Sequence, residues 1–273
     1  LFHIKGRRRP FARQVERSWR SLNSGDCFVA DEGKFGKLVY QWNGKDSIRI
    51  EKGKAMDLAK NIRDKERFNS KVSIIEEGHE TPEFWAAIGG APTGPIATKL
   101  EGGDDEEAER TYGKHVTLYK TVLVGDKIEI ERVGEEGQTL VKATLFPGNC
   151  YVLDCISEVF AWTAMQVVPK HRTGTVKKAE EIAAEHEKMC WVAPVYHEWA
   201  GSEQVMFRER FVDWNSIPIA VQQPAAPTHG RSASKPLEAK VNVTSMYAPK
   251  PEKEEVMVDE GKGTVQIWRV EEF

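Results

Sequence analysis

"GDCFVADEGKFGKLVYQWNGK", beginning at Gly25, has a counterpart in "GNCYVLDCISEVFAWTAM", beginning at Gly148. Both stretches open on a Gly-Asp or Gly-Asn turn, run through a cysteine, an aromatic residue and valine, and reach a second apolar run that carries a tryptophan. The match extends outward in both directions. Upstream, "LFHIKG" from Leu1 parallels "LYKTVL" from Leu118; downstream, "EEGHETPEFWAAIGG" from Glu76 parallels "HEWAGSEQVMFRERFVDW" from His197. The pairs Phe2 and Tyr119, Cys27 and Cys150, Trp42 and Trp162, and Phe84 and Phe207 keep offsets of 117 to 123 residues. Anchors that hold step over a whole domain length mark a tandem duplication.

Each copy predicts the same elements. A first strand (1–4; 118–122) leads through the glycine turn to a second strand, and a third strand ends in tryptophan ("KLVYQW", "EVFAW"), all with β-branched and aromatic enrichment. A long helix follows. In "EKGKAMDLAKNIRDKERF", Ala55, Leu58, Ala59 and Ile62 recur at helical spacing; in "TVKKAEEIAAEHEKM", Val176, Ala179, Ile182, Ala183, His186 and Met189 form the stripe. A further strand ("KVSIIEEG", "CWVAPVYHE") then precedes a short helix in each copy. The fold class is α+β, with mixed sheet in each of two repeats.

Composition bounds the rest. The 273 residues carry a net charge of -3, which disfavours a general nucleic-acid binder, and no apolar run approaches the length needed to span a bilayer. Charge is nonetheless polarised. Residues 1–20 hold Lys5, Arg7, Arg8, Arg9, Arg13, Arg17 and Arg20 against the single acid Glu16, whereas "EGGDDEEAE" from Glu101 is acidic without a base. The four cysteines (Cys27, Cys150, Cys155, Cys190) lack CxxC spacing and are expected as buried free thiols. Expected boundaries are a repeat at 1–97, an acidic linker at 98–114, a second repeat at 115–219, a linker rich in Pro, Ala and Lys at 220–262, and the first strand of a further repeat at 263–273. With no initiator methionine, the chain reads as an interior piece of an array.

Enzyme chemistry finds little support. His79 and His197 each neighbour an acid, yet neither belongs to a nucleophile motif, and HExxH, P-loop and GxGxxG patterns are absent. Two acids stand out instead. Asp26 follows a glycine at a strand start, and Glu51 lies at the expected start of the long helix. Turn bonding would account for Asp26. A gain of about 0.3–1 kcal/mol from the helix dipole would account for Glu51. The basic opening, on its own, reads equally as a solvated face.

The ordered run "LFHIKGRRRP…SLNSGDCFVAD…YQWNGKDS…IEKGKAMDLAKNIRDKER…VSIIEEGHETPEFW" resembles the second repeat of the gelsolin/villin/severin/flightless group, and residues 115–219 resemble the third. The resemblance implies, for each repeat, a five- or six-stranded mixed sheet between one long and one short helix. It also implies a non-enzymatic, cytoplasmic, cytoskeletal protein that binds actin filaments under calcium control, opposed by phosphoinositides. It assigns calcium to Gly25, Asp26, Glu51 and Asp104, with Asp105 one residue away. Actin falls to Lys5, Arg7, Arg8, Lys52 and Arg63, and phosphoinositide headgroups to Lys5, Arg7, Arg8 and Arg9. In the second copy Asn149 stands for Asp26, and His171 or Arg172 for Glu51, so the equivalent calcium site is expected to be lost. Secreted relatives pair the Cys27 equivalent with a cysteine where this chain has Asn43, which points to an intracellular form. The rival reading is a scaffold of such repeats that no longer binds actin.

Overall fold

Phe28 sits opposite Trp42, and Tyr151 opposite Trp162, so the two tryptophan-bearing hairpins share one register. Around them the computed structural model describes residues 1–33, 36–125, 127–135 and 137–214; the expected linker at 220–262 and strand at 263–273 lie outside the described residues. The first repeat contains β1 (Phe2–Lys5), β2 (Phe11–Gln14), β3 (Cys27–Asp31), β4 (Leu38–Asn43), α1 (Arg49–Lys65), β5 (Lys71–Glu76) and α2 (Pro82–Ala87). After α3 (Lys99–Gly102) and α4 (Asp105–Tyr112), the second repeat follows the same plan. It contains β6 (Thr117–Val124), β7 (Lys127–Val133), β8 (Cys150–Asp154), β9 (Val159–Thr163), α5 (Pro169–Glu187), β10 (Tyr196–Trp199) and α6 (Val205–Arg208).

Each sheet has five strands, ordered β2-β1-β3-β4-β5 and β7-β6-β8-β9-β10. Only the last pair in each, β4 with β5 and β9 with β10, is parallel, joined over one face by the long helix. The central strands β3 and β8 are buried along most of their length because helices cover both faces. Both are apolar runs rather than alternating ones. Ala55, Leu58, Ala59 and Ile62 of α1 are fully buried over Ile4, Cys27, Val29 and Val39. On the opposite face Phe84 of α2 joins Phe28, Tyr40 and Trp42. In α5 the buried line is Thr175, Ala179 and Ala183, with Val176, Ile182 and His186 at its margin; Met189 lies past the helix end and is exposed, contrary to the expected stripe.

A polar detail confirms the duplication. The Trp42 indole donates to Glu80 Oε1 (2.7 Å) and the Trp162 indole to Glu203 Oε1 (3.0 Å). The N–H groups of Gly78 and Gly201, both at positive φ, donate to the same oxygens. Of the cysteines, Cys27, Cys150 and Cys155 are buried free thiols, but Cys190 is exposed, because its segment leaves the sheet instead of forming the long strand expected there. Residues 99–102 and 105–112, expected as linker, are helical. Thr98 caps α3 in a capping box with Glu101, and Asp104 Oδ1 caps α4 by accepting from the Glu107 N–H (2.7 Å). The apolar layer under α1 runs on into the layer around Phe160, Met206 and Phe207, so the two repeats share a seam.

Candidate metal centre and basic face

The turn before β3 aims Asp26 inward. Asn23 Oδ1 accepts from the Gly25 N–H (2.9 Å) and Asn23 Nδ2 donates to Asp26 Oδ2 (2.8 Å). A Cβ on Gly25 would come within 2.8 Å of the Lys99 side chain, so the turn needs glycine for α3 to pack there. Glu51 occupies the third position of α1, accepting from the Ile48 N–H (3.2 Å) and the Gly6 N–H (3.0 Å). Asp105 opens α4. One oxygen from each of Asp26, Glu51 and Asp105 lies within 4.8 Å of the others. Three acids from a strand, a helix and the former linker thus meet in one place.

His3 and Lys5 share one face of β1 and point into the same place. His3 Nε2 is 2.6 Å from Asp26 Oδ2, and its ring stacks on Phe28. Lys5 Nζ donates to Asp105 Oδ1 (2.8 Å), the Gly103 carbonyl (2.9 Å) and Asp26 Oδ1 (3.2 Å). Burial pushes the carboxyl of Glu51 up to about 7; the charges of Asp26 and Asp105 add to this, against the Ile48 and Gly6 N–H groups. Burial alone would also raise Asp26, but His3, Asn23 and Lys5 outweigh it and hold Asp26 below its ordinary value. Burial lowers His3 against the pull of Asp26, which leaves the ring neutral near pH 7. One ammonium therefore faces three carboxylates.

Comparison with known proteins places this geometry. Residues 11–85 match the gelsolin repeat family model. Protovillin of Dictyostelium discoideum is 31% identical over 97% of this chain and 27% of its own length. Residues 11–85 form a gelsolin repeat, and the chain as a whole is similar to villin- and gelsolin-type proteins. Gelsolin of Drosophila melanogaster is 29% identical over 81% of this chain and 27% of its own length. Villidin of Dictyostelium discoideum is 27% identical over all of this chain and 16% of its own. The chain thus spans about a quarter or less of these relatives. Among solved structures, a chain of the Thorarchaeota 2DGel3/rabbit actin complex is 19% identical over 77% of this chain and 98% of its own, with a TM-score of 0.32, too low to carry an argument.

Within the first gelsolin repeat, the structure brings Asp105, not Asp104, to the acid cluster. Asp104 is committed to capping α4, and the next residue turns toward Lys5. Lys5 itself is only 5% exposed and lies inside the cluster, so it does not belong to the outer basic face. Arg7, Arg8 and Arg9 remain exposed. Helix α4 lies against them: Glu106 pairs with Arg7 (3.2 Å), and Glu109 Oε1 accepts from the N–H groups of Arg8 (2.6 Å) and Arg9 (2.7 Å). Gly6 permits this approach at a φ of 130°, where a Cβ would strike Glu109. On α1, Lys52 pairs with Glu76 (3.1 Å) and Arg63 with Asp64 (2.6 Å), both near the surface.

The second gelsolin repeat replaces each charge. With Val168 as helix cap, the third position of α5 is His171, so His171 rather than Arg172 stands where Glu51 does. Asn149 takes the place of Asp26, and by strand register Val122 takes that of Lys5. His171 Nε2 bonds Thr121 Oγ1 (2.9 Å), which in turn bonds Thr175 Oγ1 (2.8 Å). Arg172 lies over the Trp199 ring instead. His197, a candidate base by its neighbour, bonds Thr163 and packs on Trp199.

Proposed function

We propose that this segment binds the side of an actin filament through the first repeat, under calcium control, as part of a larger filament-severing or capping protein. The convergence of Asp26, Glu51 and Asp105 carries the reading. The donors there are all hard oxygens, and the side chains come from three separate segments of the chain, as suits a cation taking about six to eight oxygens. Asp26, Glu51 and Asp105 would hold calcium, together with the Gly25 carbonyl that the resemblance assigns; the Gly103 carbonyl shares Lys5 with Asp26 and Asp105. Bound calcium would supply positive charge in place of Lys5, whose ammonium contacts two of the three acids. Both the raised Glu51 carboxyl and the single opposing ammonium favour such an exchange. The second repeat offers Asn149, bonded to Tyr151, and His171, bonded to Thr121, in place of carboxylates, which suits a spacer without calcium at that position.

Arg7, Arg8, Lys52 and Arg63 are the accessible cations that we assign to actin, and Arg7, Arg8 and Arg9 those we assign to phosphoinositide headgroups. Arginine forks serve carboxylate and phosphate alike, so the two ligands would compete. A cytoplasmic, cytoskeletal setting goes with this role. Calorimetry on the full chain tests the cation site. Asp105→Asn is expected to weaken calcium by about tenfold or more, while Asp104→Asn leaves it within a fewfold; equal effects would refute the assignment. Filament cosedimentation of Arg7→Glu/Arg8→Glu tests the face. Unchanged pelleting of that variant, or no pelleting of the native chain, would favour the scaffold reading.

A further inference from the structure

Strand β2 is the outer strand of the first sheet, and its free edge faces the second repeat. Val15 N–H bonds the Leu1 carbonyl (3.0 Å), so residues 11, 13 and 15 turn their backbone groups to β1. Ala12 and Gln14 turn theirs outward, where a further strand would pair. Two side chains of the second repeat occupy that edge. Arg210 Nη1 donates to the Ala12 carbonyl (2.6 Å), and Arg210 Nη2 to Glu158 Oε2 (2.5 Å). By register the Gln14 N–H lies on this outward edge beside Glu158, and it opposes the upward push of burial on that carboxyl. Glu158 is 0% and Arg210 8% exposed. The contact is braced on both sides. Tyr112 of α4 stacks on Phe11 (3.8 Å) and bonds Arg210, and the Tyr196 hydroxyl donates to Gln14 Oε1 (2.5 Å).

We propose that Glu158 and Arg210 act as a two-residue substitute for a sixth strand on the first sheet, and that this substitute sets where the second repeat docks. A carboxylate stands where a strand carbonyl would be, and a guanidinium where a strand N–H would be. The pair is a poor source of stability, since Glu158 Oε1 and Arg210 Nε are buried without hydrogen-bond partners. Association comes from the apolar seam, where Ile62 and Phe2 meet Phe160 and Met206. Apolar contact tolerates sliding, whereas the Ala12 carbonyl and Gln14 N–H meet complementary charge at one offset only. The pair also covers an edge that would otherwise invite foreign strands. None of this depends on calcium.

Hydrogen exchange and thermal unfolding of the full chain test the proposal, with Arg210→Met, Glu158→Leu and the double variant. In the native chain the Gln14 amide is expected to exchange at least tenfold more slowly than an edge amide open to water. Each single variant leaves a buried unpaired charge, so the midpoint falls and Gln14 exchange rises at least tenfold. The double variant is expected to recover the native midpoint while Gln14 remains at least tenfold faster. A double variant that keeps Gln14 protected overturns the proposal, as does one that fails to recover the midpoint. Should that variant not fold, an unprotected Gln14 in the native chain refutes it alone.

Discussion

Replacing Glu51 by glutamine should stabilise the metal-free chain at pH 8. Glu51 is fully buried, and its carboxyl is raised from 4.5 to about 7. For an acid raised in the folded state, folding favours the protonated form. Stability is therefore greatest below pH 4.5, declines as pH climbs from 4.5 to 7, and levels off above. The gap corresponds to about 3 kcal/mol at pH 8, an upper figure because Lys5 responds to the same charges. Glutamine removes the charge but keeps only one oxygen, so of the Ile48 and Gly6 N–H groups, which donate to different oxygens of Glu51, one loses its acceptor at a cost of about 1–3 kcal/mol. In chelator at pH 8 the variant should therefore gain only a few °C in midpoint, and at pH 4.5 it should be no more stable than the native chain. Saturating calcium should reverse the order, with the native chain gaining and the variant not. A variant less stable than the native chain at pH 8 without metal, or an advantage unchanged by pH, would refute the reasoning.

Thiol labelling should modify Cys190 rapidly in the folded chain and spare the other three, because burial pushes Cys27 and Cys155 up to about 12 and raises Cys150; labelling of two or more before unfolding would contradict the burial. Gly25→Ala should loosen α3, since its Cβ would meet Lys99 backbone at 3.1 Å, and proteolysis near residues 98–104 should speed up with a loss of about 1–3 kcal/mol. Phe207→Ala should cost about 3–5 kcal/mol by chemical denaturation, because this buried ring contacts Phe160, Phe211 and Trp214 in the core of the second repeat. A loss under about 1 kcal/mol would contradict that packing.

The helices and central strands were legible in the sequence because each carries one strong signal. Ala55, Leu58, Ala59 and Ile62 repeat at the helical period, and all four are buried. The edge strands were harder. Strand β2 is four residues long, begins after Pro10, and pairs only with its neighbour β1, while its outer edge meets the distant Arg210. In "KIEIERV" the alternation of β7 is present but half wet, as on any outer strand. Asp26 and Glu51 could be placed from the turn and the helix start. Choosing between Asp104 and Asp105 required knowing that α4 is a helix, since capping consumes the first acid and frees the second. Acidic composition suggested a linker there, although six acids near helix starts are also a helix signal. Charge and the resemblance both group Lys5 with the arginines. Only the pairing of β1 with β3 shows that its side chain turns inward.

The second repeat serves as an internal control on what the acid cluster is for. It keeps the same strand order, the same tryptophan–glutamate contact and a helix of like position. At the positions of Asp26, Lys5 and Glu51 it has Asn149, which bonds the Tyr151 hydroxyl, Val122, and His171, which bonds Thr121, with no carboxylate among them. The fold therefore does not require the acids. A first repeat that keeps two buried carboxylates and a half-buried one against one ammonium accepts a folding cost its twin does not carry, and a local violation of that kind marks a functional site. The expected consequence is asymmetric. Calcium should raise unfolding of the first repeat to higher temperature and leave residues 115–214 unmoved, as followed by hydrogen exchange at Val29 and Val152 in the two central strands. Equal protection gained at both strands would mean that the cation acts through the seam or binds elsewhere, and that the acids of the first repeat have another use.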